Sequence, residues 1–164
     1  MAVINFKSNR HAVDAKVDAA IKNALELLGQ AAEGDVATNL KNNDTGALRG
    51  SITKKVVEEE DSVYIGSPME YAPYVEYGTG IFAEKGGRQS GWWVYVKGNS
   101  SGIHGHKSYT YEEAKRIVAR MQAQGIDAHM SQGMRPTHFM RDALVKNKGK
   151  YEKLASMALS SGVK

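Results

Sequence analysis

Val13-Asp14-Ala15-Lys16-Val17-Asp18-Ala19-Ala20-Ile21-Lys22-Asn23-Ala24-Leu25-Glu26-Leu27-Leu28 is the stretch whose periodicity sets the fold. Apolar residues recur at Val13, Val17, Ala20, Ile21, Ala24, Leu25 and Leu28, and the pattern runs on through Ala31 and Ala32. Steps of three and four place them on one stripe of an α-helix. Ser8 is a candidate N-cap. Gly29 and Gly34 each weaken a helix by about 1 kcal/mol relative to alanine. The spacing therefore predicts a helix to about residue 32, continuing with a bend to about residue 40. Such a helix is roughly 35–45 Å long. With one apolar face, it must lie on another layer, most economically a sheet.

Downstream residues supply that layer. Lys41-Asn42-Asn43-Asp44 breaks the helical pattern, and residues 45–52 read as a turn. Ile52 to Glu58 has strand character, Glu59-Glu60-Asp61 is a polar reversal, and Ser62 to Gly66 returns as the second arm of a hairpin. Pro73 suits the first turn of a short tyrosine-rich helix, and Gly78 suits its end. Glu84–Gly91 and Gly98–Ser108 read as glycine-rich polar loops, of the kind that carries function on a rigid scaffold. Trp92-Trp93-Val94-Tyr95-Val96 reads as a strand. Thr110 and Glu113 form a capping box before the stripe Ala114, Ile117, Val118 and Met121. Gly125 closes that helix, and residues 126–130 read as a strand. Thr137 is a candidate N-cap for one last helix whose apolar face includes Met140, Ala143, Leu154 and Ala158, with Gly149 as its weak point. The expected class is α+β: the long N-terminal helix on a mostly antiparallel sheet, a strand–helix–strand insertion at about 92–130, and a C-terminal helix. Residues 1–164 are expected to form one domain around that insertion.

Composition narrows function by exclusion. The 164 residues include no cysteine, which removes disulfides, thiolate metal sites and cysteine nucleophiles. No apolar run approaches the ~20 residues of a membrane-spanning helix. His104 and His106 share a loop, but His129 and His138 have no metal-ligand spacing, so no metal or cofactor is expected. Gly-x-Ser-x-Gly and phosphate-loop patterns are absent, and Glu70 and Glu76 fall on different helical faces, so no enzyme is expected. Net charge is +4, but residues 1–82 carry −4 and residues 83–164 carry +8. Such a split suits head-to-tail self-association or a basic surface toward nucleic acid. The basic residues stand out at Arg116 and Arg120 on one predicted helix, and at Arg141, Lys146, Lys148, Lys150 and Lys153 on the last. They keep a non-specific nucleic-acid-binding module as the rival reading.

Three blocks together resemble the HK97 gene-product-10-like tail components of double-stranded DNA phages. Asp44-Thr45-Gly46-Ala47-Leu48-Arg49-Gly50-Ser51-Ile52 is similar to the family's TG-x-L-R-x-S-I element. Tyr71-Ala72-Pro73-Tyr74-Val75-Glu76-Tyr77-Gly78-Thr79 is similar to its YA-x-YVE-[FY]-GT signature. Arg135-Pro136-Thr137-His138-Phe139-Met140-Arg141-Asp142-Ala143-Leu144 resembles the element that opens the final helix. The resemblance spans about residues 8–160, and the stretch between Gly80 and Gly133, where short members have only a loop, resembles insertions in some longer members.

The resemblance implies a non-catalytic virion protein of the neck, a head–tail connector or tail-completion protein made in the bacterial host cytoplasm. Its implied partners are further copies in a ring, the portal-proximal head-closure protein, the tail terminator or tail tube protein, and DNA passing through the lumen without sequence-specific binding. No membrane is involved in that picture. The second implied possibility is a tail terminator. Tyr74 and Val75 are expected to pack on the sheet, and Glu76 and Arg49 to fasten the fold as a hydrogen-bonded pair.

Overall fold

The computed structural model describes residues 9–40, 46–84, 86–87, 91–98 and 107–162. The chain divides into two compact units, one built from residues 1–69 and 139–164 and the other from residues 70–138. Both combine helices with an antiparallel strand pair, so the class is α+β, as expected. Among the described residues the strands form two separate two-stranded ribbons rather than the one sheet expected.

In the first unit, α1 (Arg10–Asn39) is one continuous helix that runs on past residue 32 to the outer bound expected near residue 40. Ser8 lies outside the described residues. The cap position is Asn9, whose carbonyl accepts from Ala12 N and Val13 N at 3.1 Å each and whose side chain makes no cap bond. Gly29 has a packing reason to interrupt an otherwise helix-favouring run. A Cβ there would stand 2.7 Å from Lys54 Cδ and 3.0 Å from Val63 Cγ2. Glycine thus lets α1 lie close against the hairpin of β1 (Thr53–Val57) and β2 (Ser62–Gly66). The hairpin pairs Lys54 with Ile65 and Val56 with Val63. Lys54 also holds Glu26 of α1 by an ion pair. The polar reversal Glu58–Glu60 is a 3₁₀ turn closed by Asp61 in the left-handed region, at φ 47°.

The end of α1 meets the one-turn helix α2 (Ala47–Gly50) and two helices from the far end of the chain, α5 (Phe139–Lys146) and α6 (Lys148–Gly162). Val36, Leu48 and Phe139 are the largest fully buried side chains. Asn39 Nδ2 donates to the Phe139 carbonyl at 2.8 Å. The expected single last helix is two, and the weak point is Asn147, not Gly149. Asn147 Nδ2 donates to the Ala143 carbonyl at 2.9 Å, the local competition by which asparagine disrupts helices. α6 runs back along α1. Near its start, Lys150 Nζ reaches both Asp35 oxygens at 2.8 Å and Tyr151 Oη donates to Asp35 at 2.9 Å. At its end, a Cβ on Gly162 would stand 2.6 Å from Ala20 Cβ.

The second unit begins with α3 (Ala72–Tyr77) and continues through β3 (Trp93–Val96), α4 (Tyr111–Ala123) and β4 (Ala128–Ser131). β3 pairs with β4, from Trp93 opposite Ser131 to Val96 opposite Ala128. α4 covers this ribbon, burying Val94, Tyr109, Ala114 and Ala128 with Ile117, Val118 and Met121 packed around them. The capping box is as read from sequence: Thr110 Oγ1 accepts from Glu113 N, and the Glu113 carboxylate accepts from Thr110 N at 2.9 Å. No helix among the described residues is long and apolar enough to cross a membrane.

Candidate interaction site

The second unit contains the tyrosine-rich block, and its backbone explains how six residues hold a helix. Pro73 sits in the first turn, where its missing N–H costs nothing. Tyr74 N and Val75 N donate to the Tyr71 carbonyl. Gly78 ends the helix at φ 76°, and a Cβ there would meet Met134 O at 2.8 Å, Phe82 O at 2.9 Å and Pro136 Cδ at 2.9 Å. Only glycine fits both the dihedral and the space.

The helix faces the opposite way from the expectation. Ala72 and Glu76, four residues apart, are the buried pair, at 6% and 5% exposure. Tyr71, Tyr74 and Tyr77, at steps of three, are 41%, 59% and 52% exposed. Tyr74 therefore does not pack on a sheet, and Val75 is only half-buried. Hydrophobicity alone put tyrosine inside. The structure instead gives the inner face to a small side chain and to the buried carboxylate Glu76.

The third block completes this site. Thr137 does not cap the last helix. Its N–H and its hydroxyl both donate to the Val75 carbonyl, at 3.0 and 2.9 Å. His138 N donates to the Glu76 carbonyl at 3.2 Å, and the chain passes through φ 48° at His138 before α5 begins. Thr79 and Met134 are tied twice, by Thr79 N to Met134 O and by Met134 N to Thr79 Oγ1, each at 2.9 Å. Residues 75–79 and 134–138 thus form one backbone-bonded platform. Glu84 N donates to Tyr77 O, and His138 Nε2 stands 3.2 Å from Glu84 Oε1. The exposed side carries a groove of about 560 Å³ lined by Pro73, Tyr74, Tyr77, Thr79 and Ala83 with glycines 78, 80, 86 and 87. Its lining has no charged side chain. Tyrosines of this kind contribute large contact area at small entropic cost in protein interfaces. The groove is not legible in the sequence because four of its nine lining residues are glycines, and four glycines dispersed over ten residues read only as loop.

The remaining motif residues hold the first unit together. Thr45 lies outside the described residues. Gly46 stands at φ 69° before α2, Leu48 is 1% exposed, and Arg49 Nη2 donates to the Leu40 carbonyl at the end of α1, at 2.5 Å. A cation on a C-terminal carbonyl is favoured by the helix dipole. Phe139 and Ala143 are buried core, and Met140 is half-buried. His104 and His106 lie outside the described residues, as do parts of both glycine-rich loops. Among the described residues no three His, Asp or Glu side chains group as metal ligands. The basic last helix, read as a phosphate surface, turns out to be largely paired: Lys146 with Asp142, Lys148 with Glu152 and Lys150 with Asp35.

A model of the family described as "Bacteriophage HK97-gp10, putative tail-component" matches residues 5–78. Over residues 5–78 the chain is similar to the HK97-gp10-like family. The match takes in α1, the hairpin and α3, and stops at the glycine that ends α3. The third block lies beyond it, so the wider resemblance expected over residues 8–160 is shown for its first part. No curated protein and no solved structure matches the chain. The likeness is thus to a putative phage tail component, over the N-terminal part of the chain.

Proposed function

We propose that this protein is a head–tail connector or tail-completion protein at the neck of a tailed phage or prophage, assembling as a ring around the DNA channel. The observation that carries the reading is the family match over residues 5–78, which ends in a helix that turns three tyrosines outward. A protein built to join others needs contact surface, and α3 with its uncharged groove supplies it on a platform fixed by main-chain bonds. Its partners in this reading are further copies of the chain, the head-closure protein on the portal side, and the tail terminator or tube protein. A closed ring requires two different surfaces to meet. The split of −4 and +8 between the chain halves suits such a contact. If raising salt well past the ~8 Å Debye length of physiological solution left assembly unchanged, this electrostatic account of the ring would fail.

The deciding experiment is a nonsense codon at Tyr71 in the parent phage, with electron microscopy of the induced lysate. Filled heads beside separate, finished tails are expected. Tails of uncontrolled length would move the assignment to the tail terminator. Intact infectious particles would overturn the neck reading.

A further inference from the structure

The helix of the second ribbon carries a surface that the neck reading does not use. Lys107, Arg116 and Arg120 border a concave surface of about 370 Å³ with Ser108, Tyr109 and Glu113. Arg116 and Arg120 are one turn apart on α4, both exposed, with roughly 6 Å of helix axis between them. Among the described residues neither arginine takes part in an ion pair, unlike Lys146, Lys148 and Lys150 of α5 and α6. The single carboxylate of the wall is committed elsewhere. Glu113 accepts from Thr110 N at 2.9 Å and from Thr110 Oγ1 at 3.0 Å, closing the capping box. Those bonds, more than its neighbours Arg116 and Lys107, hold its carboxyl below the usual carboxylate range. Aromatic surface lies on the same helix: Tyr111 is 46% exposed, and Lys115 Nζ stands 5.9 Å from its ring centroid.

Cations one turn apart, hydroxyls and an exposed ring suit a phosphate polymer better than an isolated anion. An acidic segment of another copy is the competing occupant, and the chain offers one at Glu58–Asp61. Two of its four carboxylates are already engaged, Glu58 by Lys22 at 2.6 Å and Glu60 by Tyr64 Oη at 2.7 Å.

We propose that Lys107, Arg116 and Arg120 form a binding site for the phosphodiester backbone of nucleic acid, independent of base sequence. The neck reading enters only in naming duplex DNA as the polymer at hand, and binding requires no ring.

The test is anisotropy titration of a labelled short DNA duplex with the full chain. Three phosphate contacts predict an affinity that falls about 40-fold between 50 and 200 mM salt. Arg116→Gln and Arg120→Gln should each lower the salt slope by about 1. Glutamine keeps arginine's helix propensity closely, and circular dichroism checks the fold. Lys146→Gln and Lys148→Gln should bind as the parent does. An Arg116→Gln/Arg120→Gln protein that binds DNA as the parent does would overturn the proposal. Equal affinity for polyglutamate would overturn it too, by showing a site for carboxylates. So would a variant that loses self-association while its DNA affinity is unchanged, which would give the surface to a second copy. Because the titration involves no virion, its failure leaves the neck reading standing, and failure of the lysate experiment leaves the titration standing.

Discussion

The two signature blocks inside the family match do different work. The first block, in the 1–69 and 139–164 unit, is turned inward or onto a helix end: Leu48 is buried at 1% exposure and Arg49 bonds the Leu40 carbonyl that follows α1. The second, in the 70–138 unit, is turned outward, with three tyrosines exposed and only Ala72 and Glu76 inside. A sequence signature is therefore not one kind of constraint. Part of it keeps the fold, and part of it is surface that the fold alone does not require. Substitutions in the two parts should separate stability from assembly.

The largest effect belongs to the core that the first block joins. Phe139→Ala removes a ring at 1% exposure and should cost about 3–5 kcal/mol in denaturant unfolding. A loss under about 1 kcal/mol would show that this core is not where the unit is held, and would break the contrast at its root. Gly78→Ala comes next, at roughly 1–3 kcal/mol for the positive φ alone, because a side chain must also displace the Met134 and Phe82 carbonyls. Its thermal midpoint should drop even though the residue adjoins the exposed face, which shows that the outward helix depends on a rigid base.

Tyr151→Phe tests the clamp on Asp35 and should cost about 0.5–1.5 kcal/mol at neutral pH. Burial, then the hydrogen bond to Asp35, raises the Tyr151 phenol above its ordinary 10.0. The folded state thus keeps a proton that the unfolded state releases. This contribution is complete below pH 10 and is lost as pH climbs past it. Unfolding midpoints measured toward alkaline pH should fall more steeply in the parent than in the variant. The smallest effect on stability, within about 0.5 kcal/mol, is expected of Tyr74→Ala. The same substitution should abolish infectivity on complementation of the phage lacking the gene. A destabilisation above about 1 kcal/mol would show that the tyrosines are structural after all.

Much of this was legible in the sequence. The α1 stripe, the hairpin, the Thr110 capping box and the strand at Trp92–Val96 follow from periodicity and local bonding, which tertiary structure reinforced. The errors share a cause. The facing of α3 and the hydroxyl of Thr137 were each decided by a group distant in sequence: Met134 and Pro136 crowding Gly78, and the Val75 carbonyl. Asn147 is the exception, a local competitor that outweighs the nearby Gly149 in breaking the helix. For the site, the residues could be read but not their orientation, because a six-residue helix has too few positions for its own pattern to choose a face.

The bond between Asn39 and the Phe139 carbonyl joins residues separated by 100 positions. During translation at 5–20 residues per second, α1 emerges roughly 5–20 s before the helices that cover it. For that interval its stripe of alanine, leucine and valine waits on the ribosome with only the hairpin to shield it. Premature termination anywhere before α6 leaves that stripe without its cover. Late nonsense alleles of this gene should therefore behave as early ones do, yielding an aggregating fragment in place of a shortened working protein.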